Sequence, residues 1–156
     1  MANLVTAAET GNIKEFERLL DAGGDPNFEV NPYIGQDGEE HENGPSAFVI
    51  ACLKKQTEIV SILLDKGYDI HGNLQEHEPE IDGVMPFVQP LHIALLLEAT
   101  EVVHLLLHKG ADPNALFVRD DGEGNTDKSS CLTIAPNYEI LSLLLKNGAD
   151  PNLGDE

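Results

Sequence analysis

Basic residues are scarce in this sequence. Nine Lys and Arg stand against 28 Asp and Glu, a net charge of −19 over 156 residues. A surface so charged repels DNA, RNA and anionic lipid, which excludes direct nucleic-acid and membrane binding, and it attracts basic partners or cations. Cysteine is nearly absent. Cys52 and Cys131 each sit within an apolar pattern and read as two small buried thiols, not as a disulfide staple, in keeping with an intracellular protein. No apolar run approaches the roughly 20 residues that span a bilayer. The opening MANLVTAAETGN has neither a basic n-region nor a long apolar h-region, so it does not read as a signal peptide. A nucleophile elbow, a phosphate loop and a CxxC pair are all missing. Nothing marks an enzyme, and no cofactor is expected.

What the chain does have is repetition. The segments FERLLDAGGDPN, VSILLDKGYDIH, VHLLLHKGADPN and LSLLLKNGADPN end alike, each an apolar helix end followed by glycine and a turn. Glycine takes the left-handed backbone that terminates a helix at little steric cost. The aspartate two residues after Gly23, Gly67, Gly110 or Gly148 can bond local backbone, and Pro26, Pro113 and Pro151 forbid renewed helix. Upstream of each stop lies a second helical pattern: LVTAAETGN, SAFVIACLKKQ, QPLHIALLLEA and a shorter SCLTIAPN. Ser46 suits an N-cap and Pro90 a first turn. Thr57-Glu58 and Thr100-Glu101 look like caps with first-turn acids for the second helices. The spacing predicts four units of helix, turn, helix, glycine stop and loop. Leu19, Leu20, Ile59, Leu63, Leu64, Val102, Leu105, Leu106, Leu143 and Leu144 are expected in the core.

This pattern resembles the ankyrin repeat. Pro90-Leu91-His92-Ile93-Ala94 matches the family's T-P-L-H-x-A with Gln89 in place of Thr, Glu58-Ile59-Val60 and Glu101-Val102-Val103 match its second helix, and the Gly-Ala-Asp-Pro-Asn ends match its turn. The resemblance implies an all-α solenoid of about four repeats with long hairpin-like finger loops. The expected organisation is a single domain over 1–156, with repeats at about 1–27, 46–72, 89–114 and 130–152 and long loops at 28–45, 73–88 and 115–129. The stop glycines are 44, 43 and 38 residues apart, against a family period of about 33, and the excess falls in the loops. The second unit reads Ser46-Ala47-Phe48-Val49 and lacks T-P-L-H, so the side-chain network of that turn should be missing. The fourth unit is short and carries Pro136, so it reads as a degenerate cap or as a unit whose first helix is only a turn. The first unit needs a polar outer face, which Lys14, Glu15, Glu17 and Arg18 supply. His92 is expected to hydrogen-bond between repeats.

The charge concentrates in the long loops. Phe28–Pro45 carries −5, Asn73–Gln89 −4 and Ala115–Ser129 −2, together −11 of the −19. In the ankyrin family fingers and first helices form the concave binding side, where three acidic fingers would sum their fields. The residues expected to bind a partner are Tyr33, Asp37, Glu39, Glu40, Glu42, Glu76, Glu78, Glu80, Asp82, Phe87, Asp120, Asp121 and Glu123. Aromatic and apolar side chains interleave with the acid: Phe28, Tyr33, Ile34, Met85, Phe87 and Phe117 could act as anchors or pack the fingers together.

Other motifs carry less. Glu40-His41-Glu42 and Glu76-His77-Glu78 offer metal-ligand types, but adjacent loop residues rarely converge on one ion. Asp121 to Asp127 alternates oxygen ligands as a calcium loop does, yet the sixth position is Thr126 and the twelfth Leu132. His104 and His108 stand four apart and read as exposed. The function expected is therefore non-catalytic: a protein-interaction module holding a basic protein surface or peptide, as inhibitor or scaffold. The alternatives are a nucleic-acid mimic that inhibits a DNA- or RNA-binding protein, and a Ca²⁺-dependent binding module. A monomer is expected, intracellular and cytoplasmic, with the nucleus, or a host cell for a bacterial or viral effector, as further compartments.

Overall fold

Asn3 opens the first helix. Its side chain accepts the Thr6 N–H at 2.8 Å, satisfying one of the free donors at a helix start. In the computed structural model, residues 3–27, 33–34, 40–41, 45–72, 89–120 and 126–153 are described. They form seven helices and four short strands in two compact units.

The first unit holds α1 (Leu4–Thr10), α2 (Ile13–Asp21), the hairpin strands β1 (Tyr33–Ile34) and β2 (Glu40–His41), α3 (Ala47–Leu53) and α4 (Thr57–Asp65). α1 packs on α2 and α3, and α4 packs on α3 and α2. The first helices are rich in small residues. Ala7, Ala8 and Ala51 are buried to 3% or less beside Leu4, Phe48 and Cys52, which lets neighbouring backbones approach. Ser46 caps α3 by accepting from Val49 N at 3.3 Å, as the sequence indicated. Where T-P-L-H is lacking, Phe48 and Tyr68 stack instead, with ring centroids 4.8 Å apart. That offset aromatic pair replaces a polar network with apolar burial.

The second unit holds α5 (Pro90–Leu96), α6 (Thr100–His108), the hairpin strands β3 (Phe117–Asp120) and β4 (Thr126–Ser129), and α7 (Tyr138–Lys146). α5 packs on α6, and α6 on α7. Pro90 occupies the first turn of α5. The fourth repeat has no first helix. Residues 131–134 make one turn, closed by Ile134 N–H to Ser130 O at 3.3 Å and capped by the Ser130 hydroxyl on Thr133 N. Pro136 bars Ala135 from the helical region and ends the attempt.

Thr57 and Thr100 are not caps. They are the first helical residues, and Gln56 and Ala99 precede them without a side-chain cap. In their place the tight turn does the work: Gln56 N–H reaches Ala51 O at 2.7 Å and Ala99 N–H reaches Ala94 O at 2.9 Å. The core also differs in detail. Leu20, Ile59, Leu63, Val102, Leu106 and Leu144 are buried as expected, while Leu19, Leu64, Leu105 and Leu143 are only half-buried. Leu105 and Leu143 are sixth in their helices, about 100° around the axis from the buried seventh residue. Phe16, Val60, Val103 and Ile140 are completely buried and complete the stripe.

Candidate interaction surface

The recurrent turn joins one repeat to the next. Within each turn the aspartate holds its own loop: Asp25, Asp112 and Asp150 accept from the N–H of Asn27, Asn114 and Asn152 at 2.9, 2.8 and 2.8 Å. The asparagine then reaches forward. Asn114 Nδ2 donates to Gly148 O at 3.1 Å and its Oδ1 accepts from Asp150 N at 2.7 Å. Asn27 makes the same pair with Gly67 O at 3.3 Å and Asp69 N at 2.7 Å. Both amide groups are thus used against the glycine stop of the following repeat. The sequence spelled this asparagine four residues after the stop glycine, but its long-range role needed the structure.

The third long loop is rooted in the core. Phe117, at the start of β3, is fully buried. Its ring meets His92 edge-on at 5.5 Å, so Phe117 is a packing residue and not an exposed anchor. His92 Nδ1 accepts the Gln89 N–H at 3.0 Å, which leaves the proton on Nε2 to donate to Ala115 O at 3.2 Å. Cys131 Sγ donates to that same carbonyl at 3.3 Å. Burial holds the His92 pKa below its usual range and pushes the Cys131 thiol up to about 12. The imidazole therefore stays neutral and the thiol protonated, and neither is exposed to act as base or nucleophile. Both cysteines are buried and not joined in a disulfide.

From this root the hairpin extends antiparallel, pairing Phe117 with Ser129, Val118 with Lys128, Arg119 with Asp127 and Asp120 with Thr126. The first loop is also a hairpin: Tyr33 pairs with His41 and Ile34 with Glu40. Of the expected partner-binding residues, the backbone of Tyr33, Glu40 and Asp120 is therefore placed on strands. Asp37, Glu39, Glu42, Glu76, Glu78, Glu80, Asp82, Phe87, Asp121 and Glu123 lie outside the described residues, as do Phe28 and Met85. β1 and β2 set Tyr33 and Glu40 in neighbouring register; Asp120 sits on the separate hairpin of the second unit.

A surface feature the sequence did not announce is a groove of about 570 Å³ between α6 and α7. Glu101 and Glu139, each in the first turn of its helix, line one end with Tyr138, and Lys146 lines the other. His104 also faces it. His104 and His108 are exposed, and among the described residues no three His, Cys, Asp or Glu side chains gather as a metal site. No helix among them is long and apolar enough to cross a membrane.

Comparison with known families agrees with the turn geometry. A model of ankyrin repeats, in three copies, matches residues 4–117. α7 and its glycine stop lie beyond that match, and there the Asn114 clasp carries the same repeat-to-repeat bond. A search of curated proteins returns no match.

Proposed function

Because the chain belongs to the ankyrin-repeat family, we propose that it holds a basic partner protein through its acidic long loops, without catalysis, to block or to scaffold that partner. The repeats of this family are protein–protein interaction modules, generally non-catalytic. The observation that carries the finer reading is the placement of charge: −11 of the −19 falls in the three long loops. The hairpin form of the first and third loops supports it. A hairpin projects side chains on two faces, and the third loop starts from the buried Phe117–His92–Ala115 cluster. Negative potential speeds encounter with a cationic surface and selects against acidic ones.

The test starts from affinity purification with mass spectrometry at low and high salt, which identifies what the protein retains. Charge reversal of Glu39, Glu40, Glu76 and Glu78 to Lys is then measured against that partner by calorimetry. Removing this much complementary charge should weaken binding by at least about tenfold and flatten its salt dependence. Unchanged affinity would show that the loops are not the site.

A further inference from the structure

α2 of the first unit and α7 of the second are finished differently on one face. Within each unit, the third and seventh residues of the later second helix turn toward the earlier one. Ile59 and Leu63 of α4, and Ile140 and Leu144 of α7, hold these places and are all at most 1% exposed. In α2 the third residue is Glu15, tied to Arg18 at 2.7 Å. Thr6 and Glu9 of α1 are exposed beside it, so this edge is closed by polar groups. The fourth and eighth residues face the following repeat. Phe16 and Leu20, and Val103 and Leu107, are at most 7% exposed. In α7 these places are Leu141, half-buried, and Leu145, 43% exposed. Tyr138, one turn earlier on the same face, is 82% exposed. No described element covers this stripe.

We infer that α7 is a homodimer face, occupied by α7 of a second copy around a two-fold axis. The stripe stands at the places that α2 and α6 bury against their neighbouring second helices, and it is spaced for self-pairing. With the axis at Leu141 and the helices antiparallel, Tyr138 lies three residues to one side and Leu145 four to the other. Each tyrosine ring therefore covers Leu145 of the second copy, while the two Leu141 side chains meet. Head-to-tail stacking does not compete, because it would bury Glu15 and Glu9 against these leucines. Charge also favours this face. α7 carries one acid, Glu139, and one base, Lys146, so two copies approach through a helix without net charge although each chain bears −19. An isologous contact of this kind closes on itself and stops at two. The monomer expected from the sequence is the alternative outcome of the test that follows.

Sedimentation equilibrium of the whole chain tests the inference. A dimer is expected in the range of about 10–100 µM, and its association should strengthen as salt rises from about 0.05 to 0.5 M, because screening removes repulsion between acidic copies. That sign is opposite to the one the acidic loops give to a basic partner, so failure of either reading is recognisable separately. Leu145→Glu and Tyr138→Ala alter exposed side chains and should leave the circular dichroism and thermal midpoint of the monomer in place while raising the dimer dissociation constant at least about tenfold. A monomer at every concentration and salt overturns the inference, and so does a dimer that neither substitution weakens.

Discussion

Gly110 has φ 102° and nothing within 4 Å of where a Cβ would stand. Its requirement is purely one of backbone, since L-residues are strained at that φ. Gly110→Ala is therefore expected to cost about 1–2 kcal/mol, read from the shift in a urea unfolding curve. The glycine stops were legible in the sequence for this reason: one residue type is selected by one dihedral angle. His92 is a second residue whose physics can be read out. Its folded pKa lies below the ordinary 6.5 because burial disfavours the imidazolium. The unfolded chain therefore takes up a proton near 6.5 that the folded chain refuses, and stability is complete above that pH. It is lost progressively as pH falls below 6.5 toward the lowered folded value. Thermal midpoints between about pH 7.5 and 5.5 should fall for the native chain, and His92→Gln, less stable overall, should lose that part of the dependence. The ankyrin resemblance implied that His92 hydrogen-bonds between repeats; its partners are Gln89 N, beside it in the same turn, and Ala115 O, at the start of the following long loop. The resemblance did not say that Ala115 O would be the acceptor, nor that Cys131 would share it.

At the scale of elements, the asparagine clasp decides how one repeat meets the next. Asn114 satisfies a carbonyl and an N–H in the following turn, whereas among the described residues the Asn152 side chain folds back onto Asp150, with Nδ2 3.2 Å from Oδ1. Asn114→Ala should then destabilise by about 1–2 kcal/mol, the cost of leaving two polar groups without their partners. Asn152→Ala, in the same sequence context, should change stability by less than about 0.5 kcal/mol. Parallel chemical denaturation of the two variants checks the contrast, and equal effects would show that the asparagine acts only within its own turn. Helix existence was clear from the sequence because each apolar run has a 3.6-residue period. Helix starts were less clear. Thr57 and Thr100 resemble caps, but the N–H groups of Gln56 and Ala99 are taken by the preceding helix's carbonyls, a bond across a turn that no local preference records. Lys55 and Glu98 likewise hold φ of 55° and 52° in the place where the first repeat has Gly11, so non-glycine residues carry a left-handed turn that composition alone would not locate.

For the whole molecule the governing quantity is the charge of −19. Like charges repel most when a chain is compact, so screening should favour the folded state. The thermal midpoint is expected to rise between about 0.02 and 0.5 M NaCl, measured at a protein concentration low enough to keep the chain monomeric. A midpoint that falls with salt would mean that attractive pairs such as Lys66–Asp21, at 2.6 Å between α4 and α2, outweigh the repulsion.

The sequence by itself determined the repeat, its stops, the shortened fourth unit and the polar closure of the first, because each follows from a local preference: a glycine dihedral, a proline ring, an apolar period, a charged face. It also fixed where the acid lies along the chain. Only the tertiary structure decided that Phe117 belongs to the core, that Asn27 and Asn114 bond forward across 40 and 34 residues, and that among the described residues Tyr138 and Leu145 stay exposed. These depend on which distant surfaces meet, and burial is a property of the neighbour as much as of the residue.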